Sequence, residues 1–191
     1  KVMKGSLREF FKVILQMIKA KRHIKRLQEN GYDIKSVFDI IQNDNNTNTI
    51  VYTSSMFQPY SKTFSDKYVF VGPSIRPTNN VFEKTREKLV YISMGTVNND
   101  MTIFYKNCID AFKDSNYQVV LSVGSQVDIK HLEEYVTKLE STAQFHVLTW
   151  VDQIAVLEKA DVFITHCGMN SVSEALYFKV PLVMYPQTNE Q

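Results

Sequence analysis

The sequence predicts an α/β fold over residues 89–191, a Rossmann-like parallel sheet with helices on both faces, and two observations carry it. Apolar runs of strand length alternate strictly with longer helical patterns, and the runs are apolar on nearly every residue instead of every second one. Such alternation builds parallel crossovers, and a strand without an in-and-out rhythm is buried on both faces.

The strands read Leu89 to Ser93, Gln118 to Val123, Phe145 to Thr149, Val162 to Thr165 and Leu182 to Tyr185. The helices between them read Thr102 to Asp114, Lys130 to Glu140, Gln153 to Lys159 and Ser171 to Phe178. Ligands of such sheets sit beyond the carboxyl ends of the strands, so the turns that follow the strands are where a site is expected. No helix follows the last strand to cover it, so this half is expected to be incomplete at its C-terminus.

Upstream the rhythm differs. Leu7, Phe10, Phe11, Ile14, Met17, Ile18, Ile24 and Leu27 recur at three- and four-residue steps, which predicts one amphipathic helix from Leu7 to Leu27 with Gly31 as its stop. A shorter helix is expected from Ile34 to Ile41, then a polar loop from Asn43 to Asn48 and two short strands, Ile50 to Thr53 and Tyr68 to Val71. Between Pro73 and Lys88 Pro, Asn, Thr and charge dominate, as in an interdomain linker. The expected organisation is therefore residues 1–75 as the remnant of one domain, 76–88 as a linker and 89–191 as a second domain.

A chain of 191 residues that is 44% hydrophobic and 22% charged excludes disorder, collagen-like repeats and a disulfide-dense scaffold. Its net charge of +2 is too small to mark nucleic acid or an acidic membrane as the main partner. Residues 1–35 hold ten basic side chains against Glu9, Glu29 and Asp33, and the remainder holds 12 against 17 acids, so the first segment is +7 and the rest −5. The basic helix face reads as solvated, with a lipid or polyanion surface as the alternative. No apolar run reaches the ~18 residues that span a bilayer, and the N-terminus lacks a secretion pattern; a cytoplasmic chain without stable membrane association is expected. Cys108 and Cys167 have no spacing for a disulfide framework or a zinc site and are expected to be reduced thiols.

The most informative stretch is Ala160 to Glu174, ADVFITHCGMNSVSE: an apolar strand, a tight polar turn and a helix. Gly168 removes a side chain where the backbone turns and a ligand can approach closely, and a helix start at Ser171 leaves its first N–H groups unpaired. Unpaired donors backed by the helix dipole favour a phosphate. His166 at the strand end adds a hydrogen bond or a positive charge to the same crevice. Each residue has a plainer alternative: Ser171 and Glu174 stand in capping-box spacing, and His166 suits a structural histidine.

Other strand ends point the same way. Ser93, Met94, Gly95 and Thr96 form a small polar turn that offers N–H groups and a hydroxyl, and Gly124 follows the second strand similarly. Trp150, the only tryptophan, follows the third strand and stands three residues before Gln153. An indole face stacks on a base, and an amide pairs with the edge of a base or with ribose; the alternative for Trp150 is core. No G-x-G-x-x-G follows a strand, no P-loop and no G-x-S-x-G elbow occur, and His23, His131, His146 and His166 are scattered. Hydride transfer, ATP hydrolysis, serine hydrolysis and zinc chemistry lose their motifs.

Trp150 to Gln191, WVDQIAVLEKADVFITHCGMNSVSEALYFKVPLVMYPQTNEQ, resembles the donor-binding signature of UDP-glycosyltransferases, particularly the bacterial macrolide-glycosyltransferase branch. YISMGT, LSVGS, TSSMFQPY and FVGPSI resemble that branch in order and spacing, so the similarity covers nearly the whole chain. The resemblance implies a GT-B fold: two facing Rossmann-like domains, the first binding the acceptor and the second the sugar nucleotide, with no metal and no cofactor. It implies that Trp150 stacks on uracil, that the Val151 backbone pairs with the base, and that Gln153 contacts base or ribose. His166, the turn at Gly168, Asn170 and Ser171 would hold the diphosphate, assisted by Gly95 and Thr96. Glu174 would bind the ribose hydroxyls, and Glu190 with Gln191 the hydroxyls of the transferred sugar.

Three departures stand out. Met169 replaces the Trp of many plant and animal members, Lys179 replaces a small residue before Val180 and Pro181, and Glu190 replaces a common Asp. The implied reaction is an inverting hexosyl transfer from a UDP-sugar to a hydroxyl of a small hydrophobic acceptor, with negative charge growing on the β-phosphate. The family's base, a His paired with an Asp near the start of the acceptor domain, has no match here, so no catalytic residue is assigned and the chain is expected to be an inactive, donor-binding fragment cut at both ends. The alternatives are a non-catalytic nucleotide-sugar-binding module, such as one subunit of a split transferase, and a GT-B epimerase or hydrolase acting on UDP-sugars.

Overall fold

The structure, a computed structural model, describes residues 19–36, 38–41, 47–95, 101–188 and 191. Residues 7–18 of the predicted first helix, residues 43–46 of the predicted loop, Thr96 and Glu190 lie outside the described residues. The chain divides into two compact units, Lys1–Val51 with Ser55–Phe70 and Tyr52–Ser54 with Val71–Gln191. No described helix is long and apolar enough to cross a membrane.

In the first unit, helix α1 runs over residues 19–29. It stops as expected at Gly31, which takes φ +87°; the Gly31 N–H donates to the Gln28 carbonyl at 3.0 Å and the Tyr32 N–H to the Leu27 carbonyl at 3.1 Å. These two hydrogen bonds across a left-handed residue satisfy carbonyls that the helix end would orphan. Helix α2 is only Phe38–Ile41, shorter than the predicted Ile34 to Ile41. Ser36 and Asp39 explain the late start, because the Asp39 N–H donates to the Ser36 hydroxyl and the Ser36 N–H to the Asp39 carboxylate, a reciprocal cap that sets the helix start. Strands β1, Thr49–Val51, and β2, Tyr68–Phe70, pair in parallel, with a 3₁₀ turn at Ser61–Thr63 between them.

The second unit holds the predicted parallel sheet. Its strands are β3 Leu89–Ser93, β4 Gln118–Ser122, β5 Gln144–Leu148, β6 Val162–Thr165 and β7 Leu182–Met184, in the order β5-β4-β3-β6-β7 with every pairing parallel. The helices are α3 Thr102–Phe112, α4 Ile129–Lys138, α5 Gln153–Leu157 and α6 Met169–Tyr177. All five residues of the central β3 are buried, and the first four alternate between two cores. Val90 and Ile92 join Val119, Leu121, Tyr105, Ile109 and Leu132 beneath α3 and α4. Leu89 and Tyr91 join Val120, Phe163, Val156, Leu157 and Ala175 beneath α5 and α6. That division is why the strands read apolar throughout.

The proline-bearing stretch before β3 is extended and bonded to this unit. Lys84 pairs with Asp161 at 2.7 Å, and the Thr85 N–H donates to the buried Gln118 amide oxygen at 2.8 Å.

Candidate functional site

Beyond the carboxyl ends of β3, β5 and β6 lies a cleft of about 610 Å³. It is lined by ten of the predicted residues: Gly95, Trp150, Val151, Gln153, His166, Gly168, Asn170, Ser171, Glu174 and Gln191. Thr96 and Glu190 lie outside the described residues.

The turn from β6 into α6 differs from expectation in where the helix starts. Within the turn Cys167 takes the left-handed conformation, with φ +68°, held by the Thr165 hydroxyl accepting the Cys167 N–H at 3.3 Å. Gly168 has φ −58°, open to any residue, and is glycine for clearance: a Cβ there would stand 2.7 Å from His166 Nε2. The helix begins at Met169, two residues before the predicted Ser171, with Gly168 as a cap that has no side chain to offer. The capping box therefore does not form, since Ser171 already lies inside the helix and the Glu174 carboxylate accepts from the Gln153 amide. The Val172 N–H is the first to bond back into the helix, to the Gly168 carbonyl at 3.0 Å. The N–H groups of Met169, Asn170 and Ser171 precede it at the positive end of the dipole, an arrangement suited to an anion.

His166 is wedged between two glycines. A Cβ on Gly95, whose φ is +79°, would stand 2.5 Å from the His166 Cε1, and one on Gly168 would stand 2.7 Å from Nε2 and 3.1 Å from Cε1. Nδ1 is buried without a well-formed hydrogen bond among the described residues. Burial pushes the imidazole below its ordinary range, and the Ser93 main chain, near enough to bond the ring, opposes this. Burial thus works against a charged ring at this position.

Trp150 leaves the end of β5 with its side chain 69% exposed, so it is not a core residue. It is placed by the next turn, where buried Asp152 caps α5 by accepting the Ile154 N–H at 3.2 Å. The same carboxylate accepts from Arg76, from the Thr78 hydroxyl at 2.6 Å and from the Asn80 amide at 2.7 Å. Burial alone would raise its pKa; these bonds outweigh burial and hold it well below the usual carboxylate range. Gln153, one residue on, bonds Tyr91 and Glu174.

Gln191 also faces the cleft, but its side-chain carbonyl accepts the Gln187 and Thr188 N–H groups, leaving the amide nitrogen as its group for a ligand. Gly124 does not line the cleft, and its N–H donates to the Thr149 carbonyl at 3.1 Å. Sequence reasoning missed Arg76 and Tyr91, which both line the cleft. Arg76 was hidden in a stretch that reads as linker, whereas a tyrosine among the aliphatic Leu89, Val90 and Ile92 of β3 was a signal for Tyr91.

Residues 83–191 match the family model of the glycosyltransferase family 28 C-terminal domain. The chain belongs to this family. This glycosyltransferase domain is 40% identical over 164 residues to the uncharacterized UDP-glucosyltransferase YojK of Bacillus subtilis (strain 168), covering 83% of this chain and 39% of that protein. It is 30% identical over 149 residues to the oleandomycin glycosyltransferase of Streptomyces antibioticus, covering 75% of this chain and 33% of that protein. The crystal structure of the glycosyltransferase of kitacinnamycin superposes with a TM-score of 0.70 at 28% identity, covering 96% of this chain and 49% of that one. The chain thus spans less than half the length of these relatives. The predicted α/β class and the resemblance to macrolide glycosyltransferases of GT-B fold both hold.

Proposed function

We propose that the cleft binds a UDP-sugar and that the chain is the donor-binding part of an inverting hexosyltransferase acting on a hydroxyl of a small hydrophobic acceptor. The observation that carries this is the union, at one mouth, of the open α6 start, a neutral imidazole set against it, an exposed indole and a carboxylate. A diphosphate fits the first two, a base the indole, and a sugar diol the carboxylate.

In this reading Trp150 stacks on uracil and the Val151 main chain meets its edge. Gln153 and Glu174 face the ribose, while His166, Gly168, Asn170 and Ser171, with Gly95 and Thr96, hold the diphosphate. Glu190 and the Gln191 amide take the sugar hydroxyls. As the acceptor oxygen attacks the anomeric carbon and the bond to UDP breaks, charge gathers on the β-phosphate, where donors fixed in advance lower the barrier most. In this reading the His166 ring is taken up at the phosphate end and the Glu174 carboxylate by the ribose, and no other imidazole lines the cleft among the described residues. No cleft residue is then given the role of base, and the chain alone should bind donor with little turnover. Residues 1–75 would then derive from an acceptor-binding domain, with 76–88 leading into the donor domain.

Calorimetry with UDP tests the reading. Binding that Trp150→Ala and His166→Ala each weaken supports it; binding that neither changes removes the site.

A further inference from the structure

The Tyr91 ring is 1% exposed and stacked on Phe163, with centroids 4.6 Å apart and planes 17° from parallel. Tyr91 also lines the cleft. It donates to Gln153 Oε1 at 3.2 Å; Gln153 Nε2 donates to Glu174 Oε2 at 2.5 Å and also lies 3.4 Å from the Ser171 hydroxyl. A line of hydrogen bonds thus runs from the middle of the sheet core to a carboxylate on the cleft wall.

From these contacts we infer that Tyr91 is a positioning residue for the sugar of the nucleotide: by fixing the Gln153 amide it aims Glu174, and so sets the preference for a ribonucleotide over one lacking ribose hydroxyls. The inference rests on the UDP-sugar reading and adds to it a residue that the cleft motifs do not contain.

The direction of each bond follows from the groups. Burial drives the phenol pKa far upward, so the hydroxyl keeps its proton and always has one to donate, while the Ser93 and Ser122 hydroxyls beside it can donate to its lone pairs. Glu174 fixes the other end. Rotating the amide by half a turn would set its oxygen against a carboxylate and its NH₂ against the phenol, so only the observed orientation satisfies both neighbours. Gln153 is locked at both ends, and Glu174 is held through one oxygen with the other left for a ligand. A carboxylate beside an anion cradle repels phosphate and accepts from the neutral donors of a nucleoside diphosphate; with the edge of uracil at the Val151 main chain, those left to it are the ribose hydroxyls. Without the Tyr91 hydroxyl the amide can rotate and the carboxylate loses its fixed aim, while the phosphate and base contacts stay.

The test compares UDP with 2′,3′-dideoxyuridine diphosphate by calorimetry on the full chain. The wild type should bind UDP about tenfold more tightly, the worth of hydrogen bonds to a charged group. Tyr91→Phe keeps the stacked ring, and it should weaken UDP by about fivefold while leaving the dideoxy compound within about twofold, so that the ratio collapses. Gln153→Ala removes a group that itself faces the ribose as well as the link, so it should collapse the ratio at least as far, while Tyr91→Leu, which also lacks the hydroxyl, stands in if Tyr91→Phe does not fold. Equal loss for both nucleotides, or no change for either, overturns the inference. A wild type that binds both equally well overturns it while the UDP reading stands; a wild type that binds neither ends that reading and the inference with it.

Discussion

The main chain of Gly95 lies directly against the His166 ring, so close that a Cβ at position 95 would stand 2.5 Å from Cε1 and 2.7 Å from Nε2. The φ of +79° excludes most side chains independently. Gly95→Ala should therefore displace the imidazole, lower stability by about 2 kcal/mol and weaken UDP at least about tenfold. Thermal melting and calorimetry on the variant check both; an alanine that binds UDP normally would show that the ring's placement does not matter.

His166 and His146 are both held below the ordinary imidazole range by burial. The unfolded chain then takes up protons at higher pH than the folded chain, so stability falls as pH drops through about 6.5. Melting temperature should decline between about pH 7.5 and 5.5, and His166→Asn should flatten the decline. A melting temperature that holds steady over that range, or a decline that His166→Asn leaves as steep, would contradict this.

Asp152 ties the stretch around Arg76 to the turn that carries Trp150. Asp152→Ala removes the cap of α5 and leaves three donors without their acceptor, and should cost about 3 kcal/mol near neutral pH. A carboxylate whose folded pKa is depressed stabilises above its unfolded value and loses that stabilisation as pH falls toward the folded one. The gap between wild type and variant should therefore shrink below about pH 4. Chemical denaturation at several pH values measures it; a gap unchanged in acid would mean that packing, not charge, sets the effect.

The sheet was legible because burial on both faces writes itself as unbroken apolar runs, and the cleft because ligand turns follow strands. Local hydrogen bonding was less legible. The start of α6 was misplaced because Ser171 and Glu174 have the spacing of a cap, and only the fold shows Gln153 taking up the glutamate. Asp152 reads as a polar residue between Trp150 and Gln153, and its partners lie 72 to 76 positions away in sequence. No periodicity encodes such a contact.

Lys179 ends α6 in the left-handed region at φ +59°, just before the Val180 N–H bonds the Ala175 carbonyl at 2.9 Å. A left-handed helix terminus is glycine's usual place, which accounts physically for the small residue that relatives were expected to carry there. Lys179→Gly should stabilise the chain by about 1 kcal/mol without altering UDP affinity, as thermal melting and calorimetry would show. A destabilised variant would mean that the lysine chain makes up for its strained backbone.

The central claim is tested most directly by the fluorescence of Trp150, the only tryptophan in the sequence and 69% exposed. Titration with UDP should change its emission along a saturable curve and shield it from acrylamide, as stacking on uracil requires. An emission that drifts linearly or stays constant, with acrylamide quenching as strong as before, would contradict the account.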